Sequence, residues 1–270
     1  MSALNILLAR VIDGLLSPFS GLPPLVGLGA LSLLTAAAML LVIRATSDQS
    51  RLAAVKRAIQ ACIFEVRLFN DDARAMLRAM AELVRHNLTY LRLSLVPLLW
   101  MILPLGLFVA HLQFHYGYAG LDSGTRALVK VRVTGDEAIP VLEAPAAIRV
   151  ETPAVWIPSL REAAWRIAVD QPGRYELTIR LGDRVLTKSL AASGDIIRRS
   201  PLRVDAGLAR QFLYPAEPPL PAGSGIESIA ITYPERSIAI FGWELHWLIV
   251  FLVLSTAFAF VLRSRFKVVL

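Results

Sequence analysis

Three stretches of the chain lack the alternation of apolar and polar positions that marks an element with one face in water. They are Pro23–Ile43 (PPLVGLGALSLLTAAAMLLVI), Leu93–Gln113 (LSLVPLLWMILPLGLFVAHLQ) and Trp243–Leu262 (WELHWLIVFLVLSTAFAFVL). A helix rises about 1.5 Å per residue, so crossing a hydrocarbon core of about 30 Å takes roughly 20 residues. All three runs fit, and transmembrane helices are expected over 23–44, 93–113 and 242–263. Ahead of the first, Leu4, Leu7, Leu8, Val11, Ile12 and Leu15 recur at helical spacing. That pattern predicts an amphipathic helix in 1–22, lying in the membrane surface. No basic residue opens this segment before its apolar positions, and Asp13 interrupts them, so it does not read as a signal peptide. Ser17–Pro24, with three prolines and Gly21, then turns the chain into the bilayer.

Between the first two runs the pattern becomes helical and amphipathic. Leu52, Val55, Ile59, Cys62, Val66 and Phe69 are spaced by three or four, and Ser47 or Asp48 is placed to cap the start. Asn70-Asp71-Asp72 interrupts the pattern and offers a second cap. It resumes with Met76, Leu77, Met80, Leu83, Val84, Asn87, Leu88 and Leu91. Two such helices joined by a tight turn predict an antiparallel hairpin over 45–92. Periodicity alone reads it as a spacer with a solvated charged face. The sharper alternative is a device that touches ribosomes, anionic lipid or a nascent chain.

Residues 114–241 alternate instead with period two. Strands are expected at Ala127–Val133, Ala147–Glu151, Ala164–Val169, Arg174–Leu181, Arg184–Leu190 and Ser228–Tyr233. Asp170-Gln171-Pro172-Gly173 and Gly182-Asp183 supply turns. Strands at this spacing predict a small sandwich, and Ser224–Ile240 leads into the last span. The expected fold class is therefore a membrane α-helical protein with three transmembrane helices and a cytoplasmic helical hairpin, carrying an extracytoplasmic all-β, sandwich-like domain.

Composition agrees with the pattern. Apolar residues make up 56% of the chain and charged ones 18%, and mean hydropathy is +0.57, too high for an ordinary soluble domain of this length. The net charge of +7 suggests nucleic acid until its placement is considered. Nine of the 28 basic residues lie between Arg44 and Arg92, against five acidic ones, and Arg263, Arg265 and Lys267 follow the last run with no acid among them. Such clusters hold loops on the cytoplasmic side. The charge thus reports topology: amino terminus outside, hairpin inside, and 264–270 as a basic cytoplasmic tail, in a prokaryotic inner membrane. Phe114, Tyr116, Tyr118, Trp243 and Trp247 would then gather at the outer interface, where amphipathic rings prefer to lie. No nucleic-acid partner is expected; the bilayer itself is.

The order of parts, more than any one of them, carries a resemblance. A surface helix, an inward span, a basic hairpin (ATSDQSRLAAVKRAI after the first span), a returning span entered by LTYLRLSLVPLLWMILPLGLF, and a later third span resemble the core of the YidC/Oxa-type membrane insertase superfamily. The resemblance covers about half the chain, with the β-domain as an addition. It implies a mildly polar, cytoplasm-facing groove among the spans that receives an incoming polypeptide. Ser32, Thr35 and Ser255 or Thr256 are the polar candidates for its wall, and Met39, Met76, Met80 and Met101 are candidates for a soft surface toward apolar clients. Arg44 is the nearest positive charge, and as a plain boundary residue it would snorkel. The partners implied are nascent membrane proteins, and a ribosome at the hairpin. The leading expectation is therefore an insertase-like membrane protein that assists insertion or assembly of membrane proteins, and the competing reading is a non-catalytic, membrane-anchored adaptor whose β-domain recruits an envelope protein.

Other chemistry finds little support. The single cysteine, Cys62, excludes a disulfide framework and a cysteine-based zinc site. His111 and His115 share a helix face, and His246 and Glu244 fall at the same membrane face, which makes a weak metal set. Glu244 would alternatively meet Arg126 or another basic residue of the outer domain. Arg198, Arg199 and Arg203 read as a solvated basic strand edge. No phosphate loop, nucleophile elbow or paired carboxylates are present, so neither an enzyme nor a cofactor is expected.

Overall fold

The computed structural model describes residues 2–68, 72–135, 139–240, 242–266 and 268, with the side chains of residues 2–6, 8 and 208 outside that description. The chain forms two compact units, Met1–Leu28 with Leu107–Val250 and Gly29–Gly106 with Phe251–Leu270. Helices α1 (Ser2–Leu16), α2 (Pro24–Thr46), α3 (Gln49–Leu68) and α4 (Ala73–Tyr116) come first, and α5 (Leu208–Leu213) and α6 (Trp247–Phe266) later. Three of them, α2, α4 and α6, are long and apolar enough to cross a membrane.

The second unit is helical. Asp48 caps α3 by accepting the Arg51 N–H at 3.0 Å, and Asp72 caps α4 by accepting those of Arg74 and Ala75 at 2.9 and 3.2 Å. Phe69, Asn70 and Asp71, where the hairpin turn is expected, lie outside the described residues. Cys62 and Glu65 of α3 come within 4.8 Å of Glu82 of α4, measured between ligand atoms, so the two helices run side by side as a hairpin. The hairpin's second arm and the apolar run expected to span at 93–113 form one continuous helix, α4, of 44 residues. Between the hairpin arm and the apolar run there is no glycine or proline. Asn87 and Thr89 donate back to the carbonyls of Leu83 and Arg85, each at 2.9 Å, instead of breaking the turn. Pro97 and Pro104 sit inside the apolar part, where a spanning helix tolerates them.

The first unit is the β-domain with its attached helix ends. One sheet has the order β3 (Ile148–Val150), β5 (Glu162–Val169), β1 (Arg126–Val133), β9 (Ile226–Ile231), β8 (Leu202–Val204), with β4 (Val155–Ile157) also on β5. The other is β2 (Val141–Glu143), β6 (Gly173–Leu181), β7 (Arg184–Ala192). Every pairing is antiparallel. Val129, Val131, Trp165 and Ile167 of the first sheet and Leu177, Ile179 and Leu190 of the second share one buried cluster, which is the sandwich core. Alternation builds it: along β1, Ala127, Val129, Val131 and Val133 turn inward, while Lys130 and Arg132 turn out to Glu162 at 3.6 and 3.5 Å. The β6–β7 hairpin turns at Gly182-Asp183 as expected, with Gly182 at φ +57°.

Two further expectations, both at the start of the third apolar run, need correction. The apolar run from Trp243 is not helical at its start: β11 (Trp243–His246) pairs with β10 (Ser237–Ile240), and Gly242, at φ +84°, makes the turn. Glu244 accepts a hydrogen bond from Ser237 at 3.2 Å instead of meeting Arg126, whose partner is Glu151 at 3.1 Å. The apolar positions of α1 also divide between two faces. Ala9, Ile12 and Leu16 are buried, whereas Leu7, Val11 and Leu15 are exposed. Leu4 and Leu8 fall among the undescribed side chains.

Candidate functional site

A cavity of about 640 Å³ opens in the β-domain unit. It is walled by the end of α1 with Ser17 and Ser20, by His115 in the last turn of α4, by the outer edge of β6 and β7, and by the segments around Arg198 and Glu217. Period two along β6 turns Arg174 and Glu176 the same way, away from the Leu177 face that enters the core.

One wall is an ionic junction. His115 Nε2 lies 2.8 Å from Asp13 Oδ1, and its Nδ1 lies 3.1 Å from the His111 carbonyl. Both ring nitrogens thus face oxygen atoms, a side-chain carboxylate on one side and a main-chain carbonyl on the other. Arg198 reaches the other Asp13 oxygen at 3.5 Å. Burial alone would raise the Asp13 carboxyl. The His115 hydrogen bond and the charges of Arg198, His115 and Arg174 outweigh that, leaving it below the usual carboxylate range. Arg174 makes no hydrogen bond or ion pair among the described residues, so its guanidinium is the one left open to a ligand on this wall.

The floor is a buried ammonium–carboxylate pair. Lys188 has no exposed surface and lies on the same strand face as Leu186 and Leu190. Its Nζ donates to the Ser200 carbonyl at 2.6 Å, to Ser200 Oγ at 2.8 Å and to Glu217. Glu217 also accepts the Ser189 N–H at 2.8 Å and the Ser200 hydroxyl at 2.5 Å. Burial pulls the lysine down to about 8, with the Glu217 charge opposing the fall, so the ammonium stays protonated at neutral pH. Burial pushes Glu217 up, but Lys188 and the two donors more than reverse this. A serine beside a buried lysine has the composition of a nucleophile and its base. Here all three ammonium protons are engaged and the hydroxyl is given to a carboxylate, so the arrangement holds structure together instead of abstracting a proton.

Behind the cavity, Arg199 corrects the expectation of a solvated basic edge. It is fully buried, and its guanidinium donates to four main-chain carbonyls: Tyr118 and Ile197, both at 3.2 Å, Ser193 at 2.5 Å and Asp195 at 2.7 Å. Its own N–H bonds the Phe114 carbonyl at 2.8 Å, tying the loop to the end of α4. Burial and the nearby Arg236 lower it to about 10, still charged at neutral pH. Arg203 donates to the carbonyls of Pro218 and Thr187. Trp247 Nε1 donates to Gln113 at 2.8 Å, joining the starts and ends of two apolar helices.

The groove candidates fall into two groups. In the helical unit Ser32, Thr35, Met101 and Ser255 are buried and Met39 and Met76 partly so, whereas Arg44 and Met80 are exposed. The Ser32 and Ser255 hydroxyls have no hydrogen-bond partner among the described residues. The weak metal set is not drawn together. His115 belongs to Asp13, Glu244 to Ser237, and His246 Nδ1 accepts the Leu248 N–H at 3.2 Å, while His111 is buried with both ring nitrogens unpartnered among the described residues. The one group of three donors close enough to share an ion is Cys62, Glu65 and Glu82, a buried thiol with two exposed carboxylates and no fourth donor among the described residues.

Sequence reasoning did not find Lys188, Glu217 or Arg174. A signal for the first existed, since lysine alternates with leucines in Leu186-Thr187-Lys188-Ser189-Leu190 and so takes an inward position. No protein-family model matches the chain, and no curated protein or solved structure shows significant similarity to it.

Proposed function

We propose that this chain is a non-catalytic, membrane-anchored adaptor whose β-domain faces away from the cytoplasm and receives a segment of an envelope protein in the cavity beside α1. The carrying observation is the cavity's division of labour. Lys188, Glu217, Ser200, Asp13 and His115 are committed to one another, while Arg174 and the exposed Glu176 remain for a partner. Side chains of both signs at one opening suit a polypeptide that offers a carboxylate to Arg174. Arg44, Arg51, Lys56, Arg57, Arg85, Arg92, Arg263 and Arg265, which flank the same side of the three apolar runs, support the orientation, with the hairpin and carboxyl terminus in the cytoplasm of a prokaryotic cell. A second reading is membrane-protein insertion in the manner of the YidC/Oxa superfamily. Its support is the pair of hydroxyls of Ser32 and Ser255 inside apolar helices, unpartnered among the described residues, where unsatisfied polar groups are costly and often functional.

A photo-crosslinking amino acid at Tyr175, which lines the cavity, separates the two in intact cells. The adaptor reading expects a discrete adduct that disappears on Arg174→Glu. Adducts confined to short nascent chains, captured from positions 32 and 80 and never from 175, would replace it with the insertion reading.

A further inference from the structure

Helix α4 carries two apolar seams, and among the described residues only one is filled. The filled seam runs through Met76, Ala79, Leu83, Tyr90, Pro97 and Met101, which are buried or partly buried. The other follows an unbroken heptad with Leu77, Val84, Leu91 and Leu98 at one core position and Ala81, Leu88, Leu95 and Ile102 at the other. All eight are exposed, the seven large ones between 45% and 63%. The upper residues of this seam, from Leu95 on, lie in the apolar run and are at home in lipid. Leu77 to Leu91 are not, because Arg78, Glu82, Arg85 and Arg92 alternate with them.

We infer that this seam is the interface of a parallel two-helix coiled coil between two copies of the chain. The inference rests on the reading of 93–113 as a membrane crossing. Because α4 is one continuous helix, a crossing at 93–113 carries the far end of the 20 residues before it roughly 30 Å from the bilayer, so the outer stripe from Leu77 to Val84 is too far out to lie on lipid. What covers it must be a helix that also spans the membrane and projects as far, with a matching heptad, and a second copy of α4 is such a helix. The flanking residues agree in sign. Arg78, Arg85 and Arg92 recur at the position following each of Leu77, Val84 and Leu91, and the opposite flank holds Met80, Asn87 and Ser94. Parallel pairing sets Arg85 and Arg92 against neutral Met80 and Asn87 of the other copy. Asn87 spends its N–H on Leu83, so its carbonyl oxygen is left to accept from the arginine. Antiparallel pairing would set arginine against arginine, and copies inserted with one topology cannot adopt it. Pairing removes on the order of 400 Å² per copy from water along Leu77 to Leu91, a small interface for a soluble pair, and Leu95, Leu98 and Ile102 extend the contact within lipid, where packing and not the hydrophobic effect holds it.

The test is disulfide trapping in native membranes, in a full-length Cys62→Ser background. Val84→Cys and Leu88→Cys on the seam, and Glu82→Cys and Thr89→Cys beside it, are oxidised under identical conditions. The expected result is at least tenfold more covalent dimer from the seam pair than from the flanking pair, and loss of the dimer by detergent-phase mass measurement on Leu88→Asp with helix content unchanged. Equal trapping at all four positions, no trapping on the seam, or seam adducts to a different protein would overturn it. Sedimentation of the same samples with membranes is scored separately, so failure of the membrane reading is not mistaken for failure of the dimer.

Discussion

Replacing Lys188 with methionine probes whether the cavity floor is a structural ion pair. The methionine keeps most of the lysine's length within the strand and removes the charge. Glu217 is then left 12% exposed, as a carboxylate without a counter-ion. Breaking one side of a buried pair costs about 3–5 kcal/mol, far more than the intact pair itself contributes. In a domain of this size that is a fall of about 10–20 °C in the unfolding midpoint. The assay is thermal unfolding of the detergent-solubilised protein, followed by near-UV circular dichroism of buried Trp165. The paired variant Lys188→Met/Glu217→Gln discriminates the cause. The amide is neutral yet still accepts from the Ser189 N–H, so the loss should shrink to about 1–2 kcal/mol, the cost of the orphaned Ser200 carbonyl. A Lys188→Met loss below about 1 kcal/mol, or a double variant weaker than the single, would refute the argument.

Other expectations follow from the same contacts. Arg199→Lys keeps the charge but lacks the fork that reaches four carbonyls, so at least two are orphaned and the midpoint falls by about 2–4 kcal/mol equivalent in the same assay; equal stability would discount the network. A Cβ added at Gly120 would overlap the Ser193 carbonyl oxygen and approach Arg199, so Gly120→Ala should cost stability where Gly135→Ala, in open space, does not. Glu217 and Asp13 both titrate below their ordinary values of 4.5 and 3.8. Their stabilisation is therefore complete above those values and lost as pH falls through the lowered ones. The midpoint should hold level from about pH 7 to 5 and fall below about 4, with a shallower fall in Glu217→Gln.

Local pattern made much of this architecture legible. The strands with clean alternation, such as β1, β6 and β7, stand within two residues of where the sequence puts them, because their inward faces are the sandwich core. Strands β2, β4 and β8, three residues each, carry too short a pattern to register, and their pairing depends on distant partners. The start of the third apolar run was misread for a related reason: hydropathy counts Trp243 and Leu245 alike in a strand or a helix, and only pairing with Ser237–Ile240 decides. Among the cavity residues, Asp13 stood out in the sequence as a break in an apolar face. Its reason lies 102 positions away at His115, beyond the reach of any periodicity.

Arg199 has one more consequence. Everything its guanidinium grips is main chain, and a peptide carbonyl is the same whichever residue supplies it. The arginine therefore constrains the backbone at positions 118, 193, 195 and 197 and not their side chains, which are held only by packing of their own, as Tyr118 and Ile197 are, so among distant descendants of this chain those letters should change more readily than the arginine.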